Sequence, residues 1–229
     1  PPDIMIGLPD GRYLDLERSW GVGAGLRWNH PLLGLEVDGY WRHLDNQTLF
    51  EDDGTLGQGA GVAYGVETLT RYDIGPLAGW VAYTWSRSLR QQETGDLYLP
   101  NKFDQPHYLV AVLGWSLARD LTLSGRFRYG TGYPKDSEVH SAYDLLTLTE
   151  TPLDPQALRL QPFHALDLKV SKRSQFKRWE VDFYLDVQNV YNRRIAEPVI
   201  TGIDDTITVY GYGLPVLPIF GVKGAFLPG

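Results

Sequence analysis

Apolar and polar residues alternate with a period of two along much of this chain. From Trp179 to Gln188 one series is Trp179, Val181, Phe183, Leu185 and Val187, and the other is Glu180, Asp182, Tyr184, Asp186 and Gln188. Successive side chains of an extended strand point to opposite faces, so this spacing predicts a strand whose two faces meet different surroundings. The segment from Leu33 to Arg42 repeats it, setting Leu33, Leu35, Val37, Gly39 and Trp41 against Gly34, Glu36, Asp38, Tyr40 and Arg42. Between Leu121 and Tyr129, Leu121, Leu123, Phe127 and Tyr129 oppose Thr122, Ser124, Arg126 and Arg128. Weaker versions run through 20–28, 60–71, 77–88, 107–117, 163–171 and 216–226. No long run has helical spacing, and the glycine and β-branched content opposes one. The pattern predicts an all-β chain of about nine antiparallel strands.

The connections between these strands alternate in length. Short links are expected at Asn29–Leu32, Tyr72–Pro76, Ala118–Asp120 and Lys172–Arg178. Long ones are expected at 45–59, 89–106, 132–161 and 191–214. Short turns at one end and long loops at the other are the habit of transmembrane β-barrels, whose short turns are periplasmic. With that orientation the strand at 20–28 is entered from the extracellular side and the last strand ends on the periplasmic side. A single-chain bacterial barrel has an even strand count with both ends periplasmic. Nine strands therefore predict the C-terminal portion of a larger barrel, with 1–229 as one barrel portion.

Aromatic placement points the same way. Trp20 and Trp28 cap the two ends of one apolar series; Trp41, Tyr64, Tyr83, Trp85 and Tyr129 fall near upper strand ends, and Trp115 and Trp179 near lower ones. Trp and Tyr collect where an apolar band meets lipid headgroups. The core of a soluble sandwich also collects aromatics.

Composition narrows the classes. The chain has 229 residues, 43% hydrophobic and 13% aromatic, which excludes disorder. It has no Cys, so disulfide scaffolds and Cys-ligated metal centres are excluded. A net charge of −7 opposes nucleic-acid binding, which depends on neutralising phosphates. The opening Pro1-Pro2-Asp3-Ile4-Met5 has no charged n-region or apolar h-region, so no signal peptide is expected here. Mean hydropathy is −0.26, but alternation hides an apolar face from any average.

Several strings, in order, resemble the C-terminal barrel half of TonB-dependent outer-membrane receptors. They are Ala63–Glu67, Gly79–Ser88, Phe103–His107, Arg128–Pro134, Pro162–Val170, Phe183–Asn192 and Leu214–Phe226. The resemblance implies a barrel of about 22 strands closed by an N-terminal plug. It implies energy-dependent uptake of a scarce ligand (siderophore, cobalamin or saccharide) across the outer membrane of a Gram-negative bacterium. The implied partners are outer-membrane lipid, the N-terminal barrel half and plug of the same receptor, and the TonB complex, with no nucleic acid. The plug is not in this sequence, so the chain alone is not expected to transport. Leu227-Pro228-Gly229 follow Phe226, where the family usually stops on an aromatic.

In a barrel the polar series lines the lumen. Candidate ligand-facing residues are Glu67, Arg71, Arg126, Arg128, Asp167, Lys169, Glu180, Asp182 and Asp186. If the pairing centres on the 172–178 turn, Lys169 lies opposite Glu180 and Asp167 opposite Asp182. Two facing acids require a nearby cation, and Arg126 and Arg128 are the available ones. The plainer reading of each such residue is structural ion pairing around trapped water.

Catalytic and metal chemistry find little support. The five histidines show no HExxH or His-x-x-x-His spacing, so no metal site and no cofactor are expected. Ser86, Asp104 and His107 could be drawn as a triad, but no nucleophile elbow accompanies them, and no enzyme is expected. Asp52-Asp53-Gly54 and Asp204-Asp205 lack EF-hand spacing. The long loops are the expected point of first ligand contact. Two other architectures fit parts of the pattern. One is a complete small porin-like barrel of about ten strands, with 4–16 supplying one more; the other is a soluble β-sandwich binding module.

Overall fold

A computed structural model describes residues 6–7, 13–50, 56–91, 97–134, 141–144, 149–152, 159–193, 196–201, 207–212 and 215–226. Nine long strands dominate it. They are β1 (Arg18–His30), β2 (Leu33–Phe50), β3 (Leu56–Ile74), β4 (Leu77–Gln91), β5 (His107–Ser116), β6 (Leu121–Gly130), β7 (Phe163–Phe176), β8 (Trp179–Gln188) and β9 (Leu217–Phe226). Each pairs antiparallel with its chain neighbours in one sheet running β1 to β9, and Leu99–Pro100 adds a two-residue pairing to β4. Among the described residues β1 and β9 are not paired to each other, so the sheet has two free edges.

Every alternating segment named above is a strand. The turns Pro31-Leu32, Gly75-Pro76, Leu117–Asp120 and Lys177-Arg178 all lie at one end, and the longer links at the other. Gly75 has a φ of 60°, a left-handed conformation that glycine takes without a Cβ penalty.

Two expected loops prove to be largely strand. Much of 45–59 belongs to β2 and β3, which reach Phe50 and Leu56, with a register shift between Leu44 and Gln47. The basic stretch 172–178 is strand as far as Phe176. Both errors share a cause: the backbone ladder continues past the point where apolar alternation stops. Among the described residues of 4–16, Ile6–Gly7 and Tyr13–Leu14 pair with each other and not with the sheet. The described residues there supply no tenth strand for the porin alternative.

Opposed residues on antiparallel neighbours share a face. The register therefore carries the apolar series of β8 onto β9 as Val222, Phe220 and Phe226, and onto β7 as Leu168 and Val170. It continues to Leu113 and Trp115 on β5, Val37 and Trp41 on β2, and Val22, Leu26 and Trp28 on β1. Every aromatic assigned to the belts lies on this face; Trp80 lies on the other, opposite Arg71 and Val112.

Burial is inverted relative to a soluble protein. Leu26, Phe183, Leu185, Phe220 and Val222 are exposed, while Glu180, Asp182, Tyr184 and Asp186 are half-buried. Among the described aliphatic and aromatic residues only Leu14, Leu160 and Ala165 are buried. Total accessible surface is 16074 Å², against about 10,500 Å² for a globular chain of this mass. A sandwich would cover the apolar face with a second sheet. Here that face is the open exterior of a barrel wall, and the crowded polar face is its interior.

The strands are sheared. The row that begins at Leu33, beside a short turn, continues as Tyr72, Gly79, Leu113, Gly125, Leu168, Val187 and Pro218. Val187 lies eight residues from Trp179, at the far end of β8. A row that climbs across the sheet in this way is the stagger of strands tilted within a barrel.

Candidate functional site

The polar face carries three groups of charges. The most enclosed centres on Asp167 of β7, which is 5% exposed. Asp167 lies directly opposite Arg126 of β6, whose Nε donates to Oδ2 at 2.9 Å and whose second guanidinium nitrogen lies 2.7 Å from it. Arg128 reaches the same oxygen at 3.3 Å. Oδ1 accepts the Asn189 amide at 2.9 Å, at the point where β8 ends. The two guanidiniums and the amide satisfy a carboxylate that would otherwise be costly to bury.

The expected pairings across the β7–β8 hairpin are wrong. Its turn is only Lys177-Arg178, so Lys169 faces Asp186, Glu180 faces Gln175, and Asp182 faces Arg173. Two-residue hairpins fix register tightly, and the expected pairs, drawn around 172–178, are each six residues out of register. The expected partnership of Asp167 with Arg126 and Arg128 holds.

The second group surrounds Tyr184, which has Asp182 and Asp186 as same-face neighbours on β8. Lys169 Nζ sits 4.4 Å from the ring centre and Lys223 Nζ 5.9 Å, one from each adjacent strand. Gly221 lies opposite Tyr184, and a Cβ there would come within 2.1 Å of the ring's Cζ. The glycine lets the ring lie flat across the strand between the two ammonium groups. Among the described residues Asp182 and Asp186 make no ion pair within 4.0 Å. Glu180 pairs with Arg173 at 3.6 Å, near the turn.

The third group is at the other side of the sheet. Glu36 accepts from Arg27 at 3.1 Å and from Arg71 at 2.5 Å, bridging β1, β2 and β3. Arg71 was expected on this face; Arg27 and Glu36 were missed as its partners. The two-residue turn at Pro31-Leu32 signals the Arg27–Glu36 pairing in advance. Glu67 faces Asp38, so facing acids do occur, here rather than at Asp167.

A fourth cluster, absent from the sequence-based candidates as a unit, ties the long-loop end together. Asp104 is 1% exposed. Its carboxylate accepts the Ser88 amide at 2.7 Å, contacts the Arg159 guanidinium and lies 3.5 Å from Arg87 Nε. Arg159 also donates to the carbonyl oxygens of Asp104 at 2.6 Å and Gly132 at 3.1 Å. His107 bonds the Tyr83 hydroxyl at 2.8 Å. Asp104 and His107 thus have other partners and form no triad with Ser86. Beyond β8, Tyr191 bonds His164 at 2.8 Å.

Among the described residues no group of three or more His, Cys, Asp or Glu could hold a metal ion. Asp52-Asp53-Gly54, Asp204-Asp205 and His140 lie outside the described residues, as does most of the 132–161 loop.

The family model for the TonB-dependent receptor-like β-barrel matches residues 6–190. This chain belongs to the TonB-dependent receptor β-barrel family. Solved structures of the fold agree. The ferric-catecholate import receptor Fiu from E. coli K12 superposes with a TM-score of 0.67 at 17% identity, over 95% of this chain and 28% of that one. BauA, the ferric preacinetobactin receptor from Acinetobacter baumannii, gives 0.71 at 13%, over 93% and 30%. The outer-membrane ferripyoverdine receptor of Pseudomonas aeruginosa gives 0.69 at 12%, over 96% and 29%. This TonB-dependent receptor chain therefore spans less than a third of the length of those proteins. No curated protein matches its sequence.

Proposed function

We propose that this chain is the C-terminal barrel wall of a receptor that takes a metal chelate across the outer membrane of a Gram-negative bacterium, using energy relayed by the TonB complex. The observation that carries the reading is the inverted wall, apolar outside and charged inside, in a chain of this family. Its outer face meets lipid, its short turns face the periplasm, and its free edges meet the remaining strands of the same receptor. The charged inner face meets the plug and the solute. The neighbours are named for iron chelates, which favours a metal chelate over cobalamin or a saccharide. No catalytic role is assigned to the chain, and no nucleic acid is among its partners.

The test is uptake by the whole receptor in its bacterium. Deleting its gene should abolish accumulation of one labelled ferric chelate under iron limitation, and loss of TonB should do the same. Uptake that persists without TonB would overturn the transport reading.

A further inference from the structure

Charge on the short-turn rim is gathered in one sector. The segments 117–122 and 172–180 together carry five cations, Arg119, Lys172, Arg173, Lys177 and Arg178, against two acids, Asp120 and Glu180. The other two short turns, residues 29–34 and 73–77, hold no Lys or Arg. The sector is therefore a local basic patch on a chain whose net charge is −7.

Some of these cations are already used. Arg173 pairs inward with Glu180, and Lys172 lies 3.8 Å from Asp120 while remaining 63% exposed. Arg119, Lys177 and Arg178 make no ion pair among the described residues.

Position distinguishes this patch from an ordinary solvated turn. Lys172 belongs to the apolar outer face, in register between Leu121 and Phe183. Its stem must lie along that apolar surface and carry the ammonium toward the rim. Directly below, Phe176, Trp179 and Phe226 share one row, and all three are more than half exposed. The Trp179 and Phe226 rings meet edge to face at 5.4 Å. An aromatic row with free cations beside it presents an apolar floor for an acyl chain and positive charge at headgroup height.

We infer that this sector, from the β5–β6 turn to the β7–β8 hairpin, binds the headgroup of an anionic phosphoglycerolipid in the leaflet facing the short turns. The inference rests on the outer-membrane reading above. Zwitterionic lipid offers the same acyl chains without net negative charge, so the cations give the site its selectivity.

The test uses the whole receptor in nanodiscs of phosphatidylcholine with and without phosphatidylglycerol, counting retained lipids by native mass spectrometry. The receptor should hold phosphatidylglycerol in preference to phosphatidylcholine. Lys172→Gln, Lys177→Gln and Arg178→Gln should each weaken that preference, by up to about fivefold per cation, and together abolish it. Removing two inner-face cations, by Lys169→Gln with Lys223→Gln, should leave it unchanged. Equal retention of both lipids by the unaltered receptor, or equal losses in the two variant sets, would overturn the inference. Should a combined variant fail to fold, as heat-modifiable gel mobility reports, the single variants decide. A receptor that enters neither nanodisc overturns the outer-membrane reading itself, an outcome distinct from entry without lipid preference.

Discussion

Asp167 and Asp182 stand on the same polar face, yet their surroundings differ sharply. Asp167 is buried and shared by two arginines and a backbone amide; Asp182 is half-buried with no ion pair among the described residues. Asp167→Asn should cost about 1–3 kcal/mol, because two guanidiniums lose their counter-charge while both keep some access to water. Asp182→Asn should cost under about 0.5 kcal/mol. Urea unfolding of the whole receptor in lipid measures both, and equal costs would refute the ranking. Gly221→Val should displace the Tyr184 ring and cost about 1–3 kcal/mol by overpacking. Restored stability in Gly221→Val combined with Tyr184→Ala would identify the ring as the obstacle. The residues on this face were legible from alternation alone. Their partners were not, because partners depend on register, and register depends on turn length to the residue.

Strands show where the sequence pattern ends and hydrogen bonding continues. Apolar alternation marks the part of each strand whose outer face is apolar, so it located all nine but underestimated β2, β3 and β7. Depth along a strand should be readable in substitution costs. Leu185→Arg, in the middle of β8, should cost about 2–4 kcal/mol in a lipid folding assay. Val181→Arg, two residues from Trp179, should cost about 0–1 kcal/mol because the side chain reaches the rim. At the opposite end, Arg159→Met should leave Asp104 buried with Arg87 at 3.5 Å as its remaining cation. Faster hydrogen exchange at the Ser88 amide and residues 101–104 would report the loosening. The start of β1 is fastened differently: Glu17 accepts the Thr48 amide at 2.8 Å, and that bond holds its carboxyl below the usual glutamate range. A carboxyl with a lowered folded-state pKa stabilises above its unfolded value of 4.5, and the contribution is lost as pH falls through the folded-state value. Exchange at the Thr48 amide should rise, relative to its intrinsic rate, on acidification below that point. Glu17→Gln should remove this acid dependence.

At the scale of the whole wall, fold class and the inside-out placement of apolar residues were both legible, since each follows from a period of two. The shear was not, for it is set by how nine registers accumulate rather than by any one strand. Nor was the knot at Asp104, which joins residues 55 positions apart through a long loop without pattern. Shear also explains why the aromatic belts are recognisable by position within each strand and not by cross-strand pairing: a level line through the membrane crosses the hydrogen-bonded rows obliquely.

The free edges of β1 and β9 bear on assembly. In hydrocarbon an unpaired backbone amide or carbonyl costs several kcal/mol, with no water to satisfy it. Edges of 13 and 10 residues expose about two dozen such groups. That sum exceeds the roughly 5–15 kcal/mol by which a folded domain outweighs its unfolded chain. The wall therefore has no stable existence as an open sheet within a bilayer. On the outer-membrane reading proposed above, its entry into lipid must coincide with the seam's closing, so the slow step of biogenesis should depend on the strands that meet β1 and β9 more than on any hairpin within the wall.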